Sequence, residues 1–411
     1  MWWLRRSEGS GAVGCQVEYR GRGMSDPGQD PQVLVAQAVQ TLRQNAHVGD
    51  AKLQGIFSMA GDEVVAQVVA LTAERAYAIP VVSAAVESIR RYRTLTVGSD
   101  GPWLRLLFES DDSGDLRIRL DYGATEIPAE QLLSADAYRR DIDRHPRQNI
   151  PLWLLAYVSN TGQQLRSAAD ARVGSTAAVD VLVADNDLPP LPLLWARMAA
   201  YAAVCRGSGV SVGSRTDPSF QQYIGDAGGC ILARLPSDRA ILSGGRDDSW
   251  LLTAAYRGSI AWPDLYRGAP EWLHNLYLDP RAAAGRLSFC YWWEGGHWYR
   301  AELPDVAVPF GDDHSWSRAD EVAGGVPAVW TRADAAELIA KTLAGIGFEP
   351  IGDHTGTALG LVAAAEAQTA SEQHLAELFA GGVPQDFDMA EAIAQLDAAD
   401  VLMRAASVSW S

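Results

Sequence analysis

The chain has 411 residues and a mass of 44.3 kDa, with 48% hydrophobic and 21% charged residues. That composition excludes a disordered or collagen-like chain, and no apolar run reaches the ~18 residues a membrane-spanning helix needs. The formal net charge of -17 argues against nucleic acid or an anionic membrane as partner, since both want a basic face, and it permits a basic protein.

Length predicts two or three domains, at ~150 residues each. Residues 1–29 mix Gly, Ser, Arg and Pro without apolar periodicity and are expected to be a disordered tail, with Met24 as an alternative start. The opening MWWLRR has no apolar core of signal-peptide length behind it, so a cytoplasmic protein is expected. Gly9-x-Gly11-x-x-Gly14 matches a dinucleotide fingerprint by spacing alone. It lacks the strand before and the helix after that the motif requires. Only Lys52 and Lys341 are lysines, which suggests a GC-rich genome of actinobacterial type.

Residues 30–165 read as a first α+β module. Asp30 and Pro31 open a helix whose face carries Val35, Val39 and Leu42. Two strands follow, Leu53–Ala60 and Glu63–Thr72, split by Gly61-Asp62. Pro80 opens a second helix with Val82, Val86 and Ile89 on one face. Alternating apolar residues then predict a hairpin of Trp103–Ser110 with Asp115–Tyr122, wet on the side of Arg117 and Arg119. A third helix is expected over Ser134–His145, stopped by Pro146.

Residues 166–190 read as a linker, with a short strand expected at Val179–Val183. Residues 191–330 read as a second module: a helix marked by Leu194, Met198, Tyr201 and Cys205, strands near Gly229–Leu235 and Trp250–Tyr256, and a short helix around Pro270–Leu278. Gly295-Gly296 then turns a hairpin of Arg286–Glu294 with His297–Leu303. The element order repeats that of the first module, so a diverged tandem duplication is expected. Residues 331–411 read as an acidic helical domain, with 16 Asp and Glu against 4 Arg and Lys from residue 311 on. Thr331 with Asp334 and Asp388 with Glu391 mark helix starts, and Thr357–Phe379 reads as an Ala-rich helix between them. Met389, Ile393, Leu396 and Met403 are expected to face inward in the last helix.

Reactive patterns are weak. Gly209-x-Ser211-x-Gly213 has nucleophile-elbow spacing but follows a helix and reads as a loop. Asp312-Asp313-His314 has no spaced partner cluster and reads as a solvated loop; Glu294 and His297 flank a hairpin tip with little burial to tune them. Cys15, Cys205, Cys230 and Cys290 form no zinc pattern and are expected as free thiols. No catalytic residue, cofactor or metal is assigned. Eight of the 14 tryptophans fall between Trp250 and Trp330, so part of that set is expected to face a partner. The anchor candidates are Trp293, Trp298, Trp292, Trp103 and Tyr122.

The most specific segment carries Pro102-Trp103, Asp121-Tyr122-Gly123, Tyr138-Arg139-x-Asp141, Pro146-Arg147 and Ile150-Pro151-x-Trp153. This series resembles the YezG-like immunity proteins of polymorphic toxin systems, especially the actinobacterial branch that includes the antitoxin of the tuberculosis necrotizing toxin. The resemblance covers residues 30–160, about a third of the chain. It implies an α+β fold, no catalysis and binding to a secreted toxin domain, an NAD-hydrolysing one in that branch. Two other readings stay open: a chaperone for an exported client of a secretion system, and a hydrolase using Ser211 or the Asp312–His314 cluster.

Overall fold

A computed structural model describes residues 19–20, 31–48, 51–111, 115–174, 181–303, 317–347, 354–379 and 381–403. The chain divides into two units, Met1–Ser159 and Asn160–Ser411, each α+β with antiparallel sheets. Of the expected tail, only Tyr19–Arg20 is described, and it forms a short strand, β1.

The first unit follows the periodicity closely. Helix α1 (Gln32–Ala46) buries Val35, Val39 and Leu42. Strands β2 (Lys52–Ala60) and β3 (Glu63–Leu71) pair across Gly61-Asp62, where Gly61 takes a φ of 53° that suits glycine at the first turn position. A strand absent from the sequence reading, β4 (Ala76–Ile79), pairs with β3. Helix α2 (Ser83–Leu95) buries Ala85, Ile89 and Tyr92. Strands β5 (Arg105–Ser110) and β6 (Leu116–Asp121) form the expected hairpin, and the sheet order is β1-β6-β5-β2-β3-β4. Leu53, Phe57, Leu106, Phe108 and Ile118 project from one face onto α1 and α2. Helix α3 (Ala135–Arg144) is N-capped by Ser134, whose hydroxyl accepts from Ala137 N at 3.1 Å. Helix α4 (Leu152–Ser159) follows Pro151, and Tyr138 of α3 packs with Trp153, Leu154 and Val158 of α4 in a second core that includes Ala60 and Leu104.

In the second unit α5 (Ala168–Gly174) and β7 (Leu182–Val183) occupy the stretch read as a linker. They are integral to the unit: Arg166 Nη2 donates to Ala171 O of α5 at 3.4 Å and to Ala269 O at 2.9 Å, and β7, within the short strand expected there, pairs with a sheet strand. Helix α6 (Leu191–Gly207) is buried on nearly every side. Strands β8 (Gly213–Asp217), β9 (Phe220–Ile224), β10 (Gly228–Leu235) and β11 (Arg239–Arg246) make a meander. Helix α7 (Trp250–Tyr256) replaces the strand expected there, because Ser249 caps it by accepting from Leu252 N. The helix expected near Pro270–Leu278 is an irregular stretch with short turns at Asn275–Tyr277 and Pro280–Ala282. Strands β12 (Phe289–Glu294) and β13 (His297–Arg300) turn at Gly295-Gly296, both at positive φ, and the sheet order is β7-β13-β12-β11-β10-β9-β8.

This order overturns the tandem duplication. In the first unit the hairpin β5–β6 joins the meander at its first strand, β2. In the second the hairpin β12–β13 joins at the last strand, β11. Similar helix–strand succession therefore folds into two different sheets.

The C-terminal helices are α8 (Arg318–Gly325), α9 (Arg332–Gly345), α10 (His354–Glu366), α11 (Glu372–Ala376) and α12 (Met389–Ala398). Thr331 and Asp334 close the expected capping box, and Asp388 caps α12. The expected Thr357–Phe379 helix breaks between α10 and α11, where Gln368 adopts a φ of 57°. Met403, expected inside, is 55% exposed. These helices are no separate domain. Ile339, Leu361, Val362 and Leu396 share one core with Met198 of α6 and with Leu232 and Leu242 of the sheet. Among the described residues no helix is long and apolar enough to cross a membrane.

Candidate functional site

The motif series of the first unit converges on Asp141. Its carboxylate accepts from Arg93 Nη2 at 2.9 Å, from Arg147 Nη2 at 3.4 Å and from Gly61 N at 3.2 Å. Arg93 Nε also donates to Trp103 O at 2.9 Å, and Arg147 Nη2 donates to Pro102 O at 2.5 Å. Burial alone would raise the Asp141 carboxyl; the Arg93 hydrogen bond and charge, the Gly61 N–H and the Arg147 charge outweigh it and hold the group below its ordinary value. The other motif residues brace the same region. Asp121 pairs with Arg105, Trp153 Nε1 donates to Gly123 O at 2.8 Å, and Arg139 reaches Val158 O at 2.6 Å. The segment thus clamps α3 and α4 onto one end of the strands β2, β5 and β6, and none of these bonds leaves a reactive group free in a cleft.

Four of the five anchor candidates are core residues, which corrects the expectation of exposed tryptophans. Trp103 and Trp298 have no exposure, and Trp292 and Trp293 are 3% and 6% exposed. Alternation does send the β12–β13 set to both faces, but both faces are covered. Trp293 and Trp298 meet edge-to-face at 5.4 Å in the core with α6, and Trp298 Nε1 donates to Pro189 O at 2.7 Å. Trp292 lies under Leu265, Leu273 and Leu287 of the irregular stretch. Tyr122 is half-buried against the first core.

Among the described residues the reactive patterns take structural places. Ser211 lies exposed between the end of α6 and the start of β8, a helix-to-strand passage that reverses the nucleophile elbow. Ser211→Ala is expected to shift unfolding free energy by less than about 0.5 kcal/mol, read by denaturant titration. Glu294 pairs with Arg239 at 2.8 Å, and His297 Nδ1 lies 2.7 Å from Asp185 Oδ2. The His297 contact, then the Trp298 N–H, hold the Asp185 carboxyl below its ordinary range. Asp312-Asp313-His314 lies outside the described residues. Burial raises the thiols of Cys205, Cys230 and Cys290, the last to about 12, so these are poor nucleophiles at neutral pH. Among the described residues no three His, Cys, Asp or Glu side chains gather as metal ligands.

The exposed features lie elsewhere. Arg117 and Arg119 stand out on the open face of the first sheet. In the second unit, Arg166 N donates to Asn275 Oδ1 at 2.7 Å and Asn275 N to Arg166 O at 3.0 Å. The residues next in sequence to this pair, Leu165 at 50% and Leu276 at 76% exposure, are large exposed apolar side chains. The sequence reading passed over them because Leu165 abuts the supposed linker and Leu276 sits in a supposed helix. Charge is uneven: residues 1–159 carry 17 Arg and Lys against 20 Asp and Glu, and residues 160–411 carry 17 against 31. No family model, no curated protein and no solved structure matches this chain.

Proposed function

We propose that this chain is a cytoplasmic, non-enzymatic immunity-type protein that binds and inhibits a secreted toxin domain, an NAD-hydrolysing one in the branch it resembles. The observation that carries the reading is the motif series from Pro102 to Trp153. Its support in the fold is that these residues brace a rigid platform, the kind of scaffold a protein-binding face needs. The acidic second unit would steer a basic partner into encounter, and exposed apolar side chains such as Leu165 and Leu276 would hold it.

The test is to measure association and dissociation rates against the toxin homologues encoded in the same genome, at low and high salt. Association is expected to slow by about tenfold or more as the salt rises, because a Debye length of ~8 Å at physiological salt screens the steering. Dissociation should change far less. Leu276→Asp should speed dissociation by roughly thirtyfold, the equivalent of about 2 kcal/mol, if it removes a true anchor. The reading fails if no homologue binds at either salt concentration.

A further inference from the structure

An uncovered sheet edge is a template for another strand, so folded proteins close their edges. Among the described residues, three of the four sheet sides carry such a closure, two of them a two-residue outermost strand. On β13, β7 pairs alongside, Ala184 N donates to Trp298 O at 2.8 Å, and Asp185 Oδ1 accepts from Trp298 N at 2.8 Å. On β8, Gln395 Oε1 accepts from Thr216 N at 2.6 Å and the Ser214 N–H bonds to Cys205. On β6, Tyr19 and Arg20 of β1 pair with Ile118 and Arg117. The fourth edge is β4.

The phase of β4 follows from its turn. Thr72 N donates to Arg75 O at 2.9 Å, which makes that pair a hydrogen-bonded one. Bonded and non-bonded pairs alternate along an antiparallel ladder. Tyr77 opposite Ala70 and Ile79 opposite Val68 therefore direct their backbone groups to β3. Ala76 and Ala78 direct theirs outward, and among the described residues no group takes them up. The side chains of Ala76 and Ala78 are exposed on the outer face, and Tyr77 packs against the core on the other.

Ala76-Tyr77-Ala78 reads the same in both directions, and this symmetry decides the occupant. We propose that a second copy of this chain pairs with β4 antiparallel, about a two-fold axis at Tyr77. In that register Ala76 of each copy faces Ala78 of the other. All the outward N–H and C=O groups of both alanines are then bonded. The two Tyr77 rings meet in the non-hydrogen-bonded position, where cross-strand side chains approach most closely. A register centred on Ala78 would set Ala76 against Pro80, which has no N–H to give. Charge favours the same pairing. Residues 76–79 carry none, Arg75 would face Ile79, and Glu74 would face Pro80, so no like charges meet. The unit that holds β4 is also the nearly neutral one. The contact is isologous and closes at two copies.

So short an edge makes a weak dimer, and the test must span concentration. Sedimentation velocity of the full chain from about 1 to about 200 μM should move from monomer toward dimer. Ala78→Pro removes an outward N–H from both symmetric pairs and leaves the β3 ladder intact, so this variant should stay monomeric with wild-type circular dichroism. Ala78→Lys, at an exposed side chain, is the second variant should proline unfold the edge. Tyr77→Cys should yield a disulfide-linked dimer under mild oxidation, because the axis brings the two sulfurs together. A wild-type chain that stays monomeric over the whole range overturns the proposal and leaves the edge to a strand of another protein. A dimer that persists in a folded Ala78→Pro or Ala78→Lys variant overturns it as well.

Discussion

Asp141→Ala should destabilise the first unit by about 3–5 kcal/mol, the loss expected when one member of a buried ion network is removed. The carboxylate and the Arg147 side chain are almost fully enclosed, at 3% and 2% exposure. Alanine would leave Arg93 and Arg147 facing each other without the anion between them, and Gly61 N without its acceptor. The double variant with Arg93→Ala should lose less than the sum of the two single changes, because the second change removes a charge the first had stranded. The pH dependence carries a definite sign. Asp141 has a lowered folded value, so its contribution is full above the unfolded aspartate value of about 3.9 and is lost as pH falls through the lower folded value. The gap between wild type and Asp141→Ala should therefore hold constant from neutral pH to about 5 and narrow at lower pH. Denaturant titrations across that range measure it. A gap under about 1 kcal/mol at pH 7 would remove Asp141 from the centre of the fold.

The legibility of the fold followed from local signals. Val35, Val39 and Leu42 announce α1, and the alternating Leu104–Phe108 run announces β5, because each element buries one face against a regular neighbour. The capping pairs at Thr331 and Asp388 carry their own chemistry and were readable as such. What stayed hidden lacks a local period. Strand β8 points Ser214 and Thr216 inward, so no apolar alternation marks it. Strand β4 is four residues long and ends at Pro80. Trp250–Tyr256 is a seven-residue, mostly apolar run too short to show a period, and the Ser249 cap marks it as a helix. The motif series pointed to the right neighbourhood in naming Asp141 and Arg147, but Arg93, 48 residues upstream, belongs to it only through the fold. The tryptophans failed as anchors for a related reason. Alternation told correctly that they face both ways, and it could not tell that an irregular stretch holding Leu265, Leu273 and Leu287 lies over the second face.

Trp298→Ala separates a core role from an interface role, because the two predict opposite results. Its indole is fully enclosed, meets Trp293 edge-to-face and donates to Pro189 O. Removing such a side chain leaves a cavity and an unpaired Pro189 carbonyl, a loss of about 3–5 kcal/mol. The damage should stay in the second unit, since Trp298 belongs to the core shared by α6, the sheet and the C-terminal helices. Hydrogen exchange should then show faster exchange across β10–β13 and α6, with β2, β3 and β5 as protected as in wild type. Asp141→Ala should give the mirror pattern. An interface anchor would behave otherwise: Trp298→Ala would keep wild-type stability and weaken only the complex. Enclosure on all sides selects the first outcome, because an indole that no partner can touch in the folded chain affects binding only through the fold that holds it.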